Sequence, residues 1–219
     1  MRTHLALFLD RTDAGKQLAT ALSAAPRPDI VFALPRGGVP VGYEIATAFN
    51  LPLELLMVRK IPAPGHGEYG IGAVVDGATP QIVLNDNAMS VAGVTQAYID
   101  AQVAKKLKEI EQRRRRYAGE RSPLPAAGKS VILVDDGIAT GGTALAGLRA
   151  LRAAGARWIT LAVPVAPPEG ANRMEADADA VVCLHRPTKF RAVGEYYEQF
   201  DQISDDIVTA LMKSAAERV

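Results

Sequence analysis

The chain has a single cysteine, Cys183, so it can form no internal disulfide. That cysteine lies in the apolar run AVVCL and reads as a buried core thiol. The three histidines, His4, His66 and His185, are scattered and show no zinc-ligand spacing. There is no span of about 18 apolar residues, so no membrane-crossing helix is expected. The opening MRTHLALFLDRTD holds only the short run Leu5 to Leu9 before Asp10 and Asp13, which is too short and too soon acidic for a signal peptide. Neither charge dominates: the formal net charge of +1 excludes the strong basic field of a nucleic-acid binder. Internal repeats and low-complexity tracts are also missing. These absences lead to the expectation of a cytoplasmic protein whose affinity for phosphate, if any, is built locally.

What is present is 219 residues, 48% hydrophobic and 22% charged, enough to bury a real core. Continuous apolar runs read as buried strands: IVFAL (30–34), LELLMV (53–58), VILVD (131–135), WITLAVPVA (158–166) and AVVCL (180–184). Helical patterns fall at 12–24, 39–49, 94–117 and 142–155, with a short helix near 168–176 and a terminal one over 203–217. IGAVV (71–75) and QIVL (81–84) suit a hairpin around DGATP. RKIPAPGHGEYG holds two prolines and three glycines, which predicts a mobile loop at about 60–72. Strands alternate with helices. The prediction is a single α/β domain over 1–219, with a mostly parallel central sheet, helices on both faces, and a small hood or helix at about 184–219.

The chemistry concentrates in SVILVDDGIATGGTA, residues 130–144. Ligands of open parallel sheets bind beyond the carboxyl ends of strands, and Asp135 and Asp136 end one. A helix N-terminus follows, where unpaired amides and the helix dipole attract an anion. Gly141 and Gly142 allow close backbone approach, and Thr140 and Thr143 add hydroxyls. A Walker loop is excluded because Thr143 stands where the lysine belongs. A dinucleotide fingerprint is excluded because Val75 stands where the third glycine after Gly70 and Gly72 belongs.

VILVDDGIATGGT instead resembles, over 13 residues, the phosphoribosyl-diphosphate (PRPP) signature of type I phosphoribosyltransferases. That signature has four hydrophobic residues, two acidic ones and a Gly/Thr loop. The resemblance implies that family's fold and its use of PRPP and Mg²⁺ to transfer phosphoribosyl to a nitrogenous base or amine. It implies that Asp135 and Asp136 face the ribose hydroxyls, directly or through Mg²⁺. It implies that Ala139, Thr140, Gly141, Gly142 and Thr143 hold the 5′-phosphate. PRGG, alone a turn, falls where the family has its diphosphate loop, which assigns Arg36, Gly37 and Gly38 to the diphosphate; some members have a cis non-proline peptide there. Arg59 and Lys60 match basic pairs near the diphosphate in adenine and orotate enzymes, with Lys60 counted among the catalytic residues. The segment after them matches the family's flexible catalytic loop, making Glu68 a catalytic candidate and Tyr69 an acceptor contact. His66 reads as an exposed loop residue.

Ala139 replaces an aspartate that 6-oxopurine enzymes of the family carry, so the acceptor is expected to be adenine-like or unfamiliar. The aromatics Phe190, Tyr196, Tyr197 and Phe200 either pack a terminal helix or form a hood, with Phe190 and Tyr197 as acceptor contacts. The run Arg113 to Arg116 reads as a solvated helix end, cations complementing the dipole, with an anion-site role as the other reading. FLDRTDAGKQLA, ALPRGGVPVGYEIA, VRKIPAPGHGEYGIGAV and AVGEYYEQFDQ extend the likeness to a bacterial group of phosphoribosyltransferase-domain proteins. The family habit implies a homodimer. A PRPP-sensing regulator without turnover is the alternative reading.

Overall fold

The computed structural model describes residues 6–23, 27–84, 89 and 94–218, and at 66–69 the backbone alone. Helix α1 (Arg11–Leu22) starts at Asp10, whose carboxylate accepts the Asp13 N–H at 2.8 Å. Strand β1 (Ile30–Ala33) leads into α2 (Gly38–Phe49), which ends where Asn50 takes a left-handed conformation, φ 51°. Strands β2 (Leu53–Leu55), β3 (Val58–Ala63), β4 (His66–Val75) and β5 (Gln81–Leu84) follow. Helix α3 (Gln96–Ala118) is capped by the Thr95 hydroxyl, which accepts the Tyr98 N–H at 3.3 Å. Then come β6 (Ser130–Val134), α4 (Gly142–Ala153), β7 (Trp158–Val165), α5 (Pro168–Met174), β8 (Ala180–His185), a 3₁₀ turn (Val193–Tyr196) and α6 (Asp205–Ala216).

Five strands form one sheet in the order β2-β1-β6-β7-β8, and every pairing is parallel. Its centre is buried on both faces, as the continuous apolar runs require. Alternate residues feed two core layers. Val31, Ile132 and Val134 join Leu18 and Ile45 on one side. Phe32, Leu133 and Val163 join Leu148 and Leu151 on the other.

The segment expected as a loop at 60–72 is instead strand. β3 and β4 form an antiparallel hairpin, and β5 pairs with β4 in the hairpin expected of 71–75 and 81–84. The prolines are accommodated because the register shifts on both sides of Pro62, and bulges tolerate proline. Ile61, Ile71 and Val74 are buried and give the hairpin an apolar face, which composition alone does not reveal. LELLMV also divides: β2 stops at Leu55, and the Met57 N–H is donated to the Asp76 carboxylate at 2.5 Å rather than to a ladder.

The arginine run is only partly a solvated end. Arg115 pairs with Glu111 on the surface. Arg114 turns inward, with its guanidinium 2.6 Å from Glu54 Oε1 and 2.9 Å from Asp76 Oδ2. It fastens α3 to the ends of β2 and β4. Cys183 is half-buried, and desolvation raises its thiol above the usual value, so it stays protonated.

Candidate active site

Strands β1 and β6 are parallel neighbours, so their carboxyl ends lie side by side. PRGG follows one and the aspartate pair follows the other. The two loops touch at Gly37. A Cβ there would lie 2.0 Å from Asp136 Oδ2, so any larger residue displaces that carboxylate. A Cβ on Gly38 would lie 2.7 Å from the Val134 carbonyl oxygen. The Pro35–Arg36 peptide is cis. Beyond the aspartates, the Ile138 N–H is donated to the Val165 carbonyl at 2.9 Å, which pins the loop to β7. Gly141 has φ 76°, a conformation that favours glycine, and α4 begins at the next residue. Thr140 and Gly142 are exposed and Thr143 is half-buried. The first-turn amides of α4 have no intrahelical acceptor and no side-chain cap.

The aspartates are not equivalent. The Asp136 N–H is donated to Asp135 Oδ1 at 2.9 Å. Desolvation, then the neighbouring Asp136 carboxylate, pushes the Asp135 carboxyl well above its usual range. Asp136 Oδ2 instead accepts Arg11 Nε at 2.8 Å. Arg11 also donates to the Asp201 carbonyl at 2.9 Å, and its guanidinium carbon lies 3.8 Å from the Phe200 ring centroid. The Tyr197 hydroxyl donates to the Asp136 carbonyl at 2.6 Å.

Sequence reasoning missed Arg11. One signal was available: an arginine in the first turn of a helix opposes the macrodipole, so it needs another reason to be there. Asp136 is that reason.

Tyr197 is corrected as an acceptor contact. It is 2% exposed, enclosed by Phe8 and Phe200, and presents no free ring face. It buttresses the aspartate loop. Phe190 stacks on Tyr196, with centroids 5.4 Å apart and planes at 21°, so at least one of its faces is used internally.

Arg59 and Lys60 do not face the same cleft. Neighbours on a strand point to opposite faces. Lys60 is exposed and shares a cleft with Gly142 at the start of α4. Arg59 faces the other way, into a recess with Arg113 and Arg116. Arg36 reaches Asp205 Oδ1 at 3.4 Å. The side chains of Glu68, Tyr69 and His66 lie outside the described residues.

Among the described residues, no group of three or more His, Cys, Asp or Glu could by itself hold a metal ion. Mg²⁺ does not need one. It is commonly held by one or two carboxylates, with substrate oxygens and water completing its shell, and Asp135 and Asp136 are hard oxygen donors of that kind. The residues therefore fit the ion. No helix among the described residues is long and apolar enough to cross a membrane.

An open parallel sheet with an acidic pair after one strand, facing a glycine loop after its neighbour, defines an α/β protein whose loops meet at the carboxyl ends of its strands, where ligands of such sheets bind. The family model of the phosphoribosyl transferase domain matches residues 10–200, and the chain belongs to that family. In two strains of Mycobacterium tuberculosis a protein provisionally named a phosphoribosyl transferase is 42% identical over 210 residues, 95% of this chain. The chain spans 47% of that relative's length. A Thermus thermophilus protein of known crystal structure is 38% identical, with a TM-score of 0.83 over 94% of this chain and 98% of its own.

Proposed function

We propose that this chain transfers the phosphoribosyl group of PRPP to a nitrogenous base or amine and releases diphosphate, with Mg²⁺ as cofactor. The observation that carries this reading is the contact of Gly37 with Asp136, which joins the two loops the reaction needs into one surface. In this reading the 5′-phosphate rests on the amides and hydroxyls of Thr140 to Thr143. Asp135 and Asp136 accept from the ribose hydroxyls and lie near the positive charge that develops on the sugar ring. The Arg36 to Gly38 loop receives the diphosphate, and Lys60 approaches it across the cleft. Bound Mg²⁺ would neutralise charge on the departing diphosphate. Ala139 points away from 6-oxopurines, so the acceptor is adenine-like or of another class. A cytoplasmic homodimer completes the proposal.

The test is diphosphate release from PRPP with Mg²⁺, screened against a panel of bases and small amines. Turnover that is lost in the folded Asp135→Asn/Asp136→Asn variant supports the proposal, and undiminished turnover in that variant sinks it.

One observation favours a second reading, a PRPP-binding regulator without turnover: Arg11 already occupies Asp136 Oδ2. Saturable PRPP binding with no diphosphate release for any acceptor selects it.

A further inference from the structure

We propose that the basic recess beside the Arg36 loop is a second anion site, built for an oligophosphate chain. The recess is open and has a volume of about 370 Å³. That lies within the usual range for small-ligand sites. Residues 109, 112, 113 and 116 recur at helical spacing, so Glu109, Gln112, Arg113 and Arg116 line one stripe of α3. Arg59 faces them from β3, and Asp205 closes the rim from α6.

The charges in this recess do not balance. Among the described residues, neither Arg59 nor Arg113 has a carboxylate within 4.0 Å. Among the described residues, Arg59 donates only to the carbonyl of Val58, at 2.9 Å. Glu109 is engaged by Lys106 at 3.0 Å. Burial, then the charge of Arg113, presses the Arg59 guanidinium below its usual value.

Among the described residues, Asp205 is the one carboxylate that serves several of these groups. It accepts from Arg116 at 2.7 Å, from Arg36 at 3.4 Å and from the Tyr117 hydroxyl at 2.5 Å. A single carboxylate cannot satisfy the recess and the Arg36 loop together. A chain of phosphates can, because its many oxygens accept forked contacts from several guanidiniums at once. The ligand class is therefore an oligophosphate, either inorganic or the tail of a nucleotide. The site borders the proposed diphosphate loop, to which it is linked through the Asp205–Arg36 contact. It needs neither the aspartate pair nor any turnover.

The test is calorimetric titration with inorganic tripolyphosphate, without PRPP or acceptor. Arg113 and Arg116 are exposed, so replacing them leaves the core intact. Arg113→Ala/Arg116→Ala is expected to weaken binding roughly tenfold or more. Thr140→Ala/Thr143→Ala, which strips the hydroxyls from the other phosphate loop, is expected to stay within about twofold of wild type. Asp205→Asn is expected to strengthen binding, a gain that unfolding cannot mimic. Tripolyphosphate affinity unchanged by the arginine substitutions overturns the site. So does a loss in the threonine variant equal to that in the arginine variant. ATP titrated in parallel separates the sources. Equal affinities assign the site to the phosphate chain alone, and tighter ATP binding, lost in the same arginine variant, assigns it to a nucleotide. Because diphosphate release from PRPP is not measured here, failure of this site leaves the transferase reading to its own test.

Discussion

Arg11 and Asp136 are 125 positions apart and meet at 2.8 Å, at the point where the N-terminal helix, the aspartate loop and the C-terminal segment converge. The contact joins both ends of the chain to the functional loop. Arg11 also lies over Phe200 and donates to the Asp201 carbonyl, so one side chain orders three segments.

Arg11→Ala removes a charged hydrogen bond from a mostly buried pair and leaves Asp136 without its cation. The expected cost is about 1.5–3 kcal/mol of folding stability. Arg11→Lys keeps the charge but loses the second donor, so it should recover part of the loss. Urea unfolding of the three proteins measures this. An unchanged midpoint in the alanine variant would show that the pair contributes nothing.

Arg114 makes a sharper stability prediction. It is the cation between Glu54 and Asp76, whose side chains are 8% and 6% exposed. Arg114→Ala leaves two buried carboxylates facing each other, which is expected to cost about 3–5 kcal/mol. Lowering the pH should restore part of that by protonating one of them. The same substitution at exposed Arg115 should change stability by less than about 0.5 kcal/mol.

A pH dependence follows from Asp76. Burial pushes its carboxyl from the usual 3.8 up to about 6, although Arg114 pulls the other way. The folded state therefore holds a proton that the unfolded chain releases between those values. This contribution is fully present below pH 3.8 and is lost as pH rises through about 6. Its size is on the order of 3 kcal/mol. Asp76→Asn removes the titration, so denaturation at pH 4.5 and pH 7 should differ less in the variant than in wild type. An identical difference in the two proteins would contradict the assignment.

These residues also show what the sequence could reveal. Strands, helices and the DDGIATGGT loop were legible because their signals are local: apolar runs, helical spacing, glycines at a strand end. Arg11 and Arg114 were not, because their partners lie far away in sequence. A run of four arginines reads as surface until Glu54 and Asp76 are brought beneath one of them. The hairpin at 58–75 was hidden for a related reason. Its prolines and glycines signal a loop locally, and only packing against other elements makes it strand.

Gly37 tests the joined loops. Its backbone is helical, φ −60° and ψ −37°, so alanine introduces no backbone strain. The added Cβ would nevertheless lie 2.0 Å from Asp136 Oδ2. The carboxylate must move by about an ångström, and misplacement on that scale can cost about 100-fold in rate. In the proposed reaction, Gly37→Ala should lower PRPP turnover far more than it lowers the melting temperature. Equal turnover would show that the position of Asp136 does not matter to the chemistry.

The division of Arg59 and Lys60 gives a last discrimination. Read as a basic pair, they should have interchangeable roles on the diphosphate. Strand alternation sends them to opposite faces, Lys60 toward Gly142 and Arg59 toward Arg113. In the transferase reading, Lys60→Ala removes a cation from the side on which the 5′-phosphate loop and the cleft meet. The expected loss in kcat/KM for PRPP is about 10–1,000-fold, with little change in stability because Lys60 is exposed. Arg59→Ala should cut tripolyphosphate binding at the recess and lower PRPP turnover less. The two substitutions measured in both assays form a crossed comparison. If each variant loses the same function by the same factor, the pair acts on one anion, and the opposite facing of these neighbours has no functional meaning.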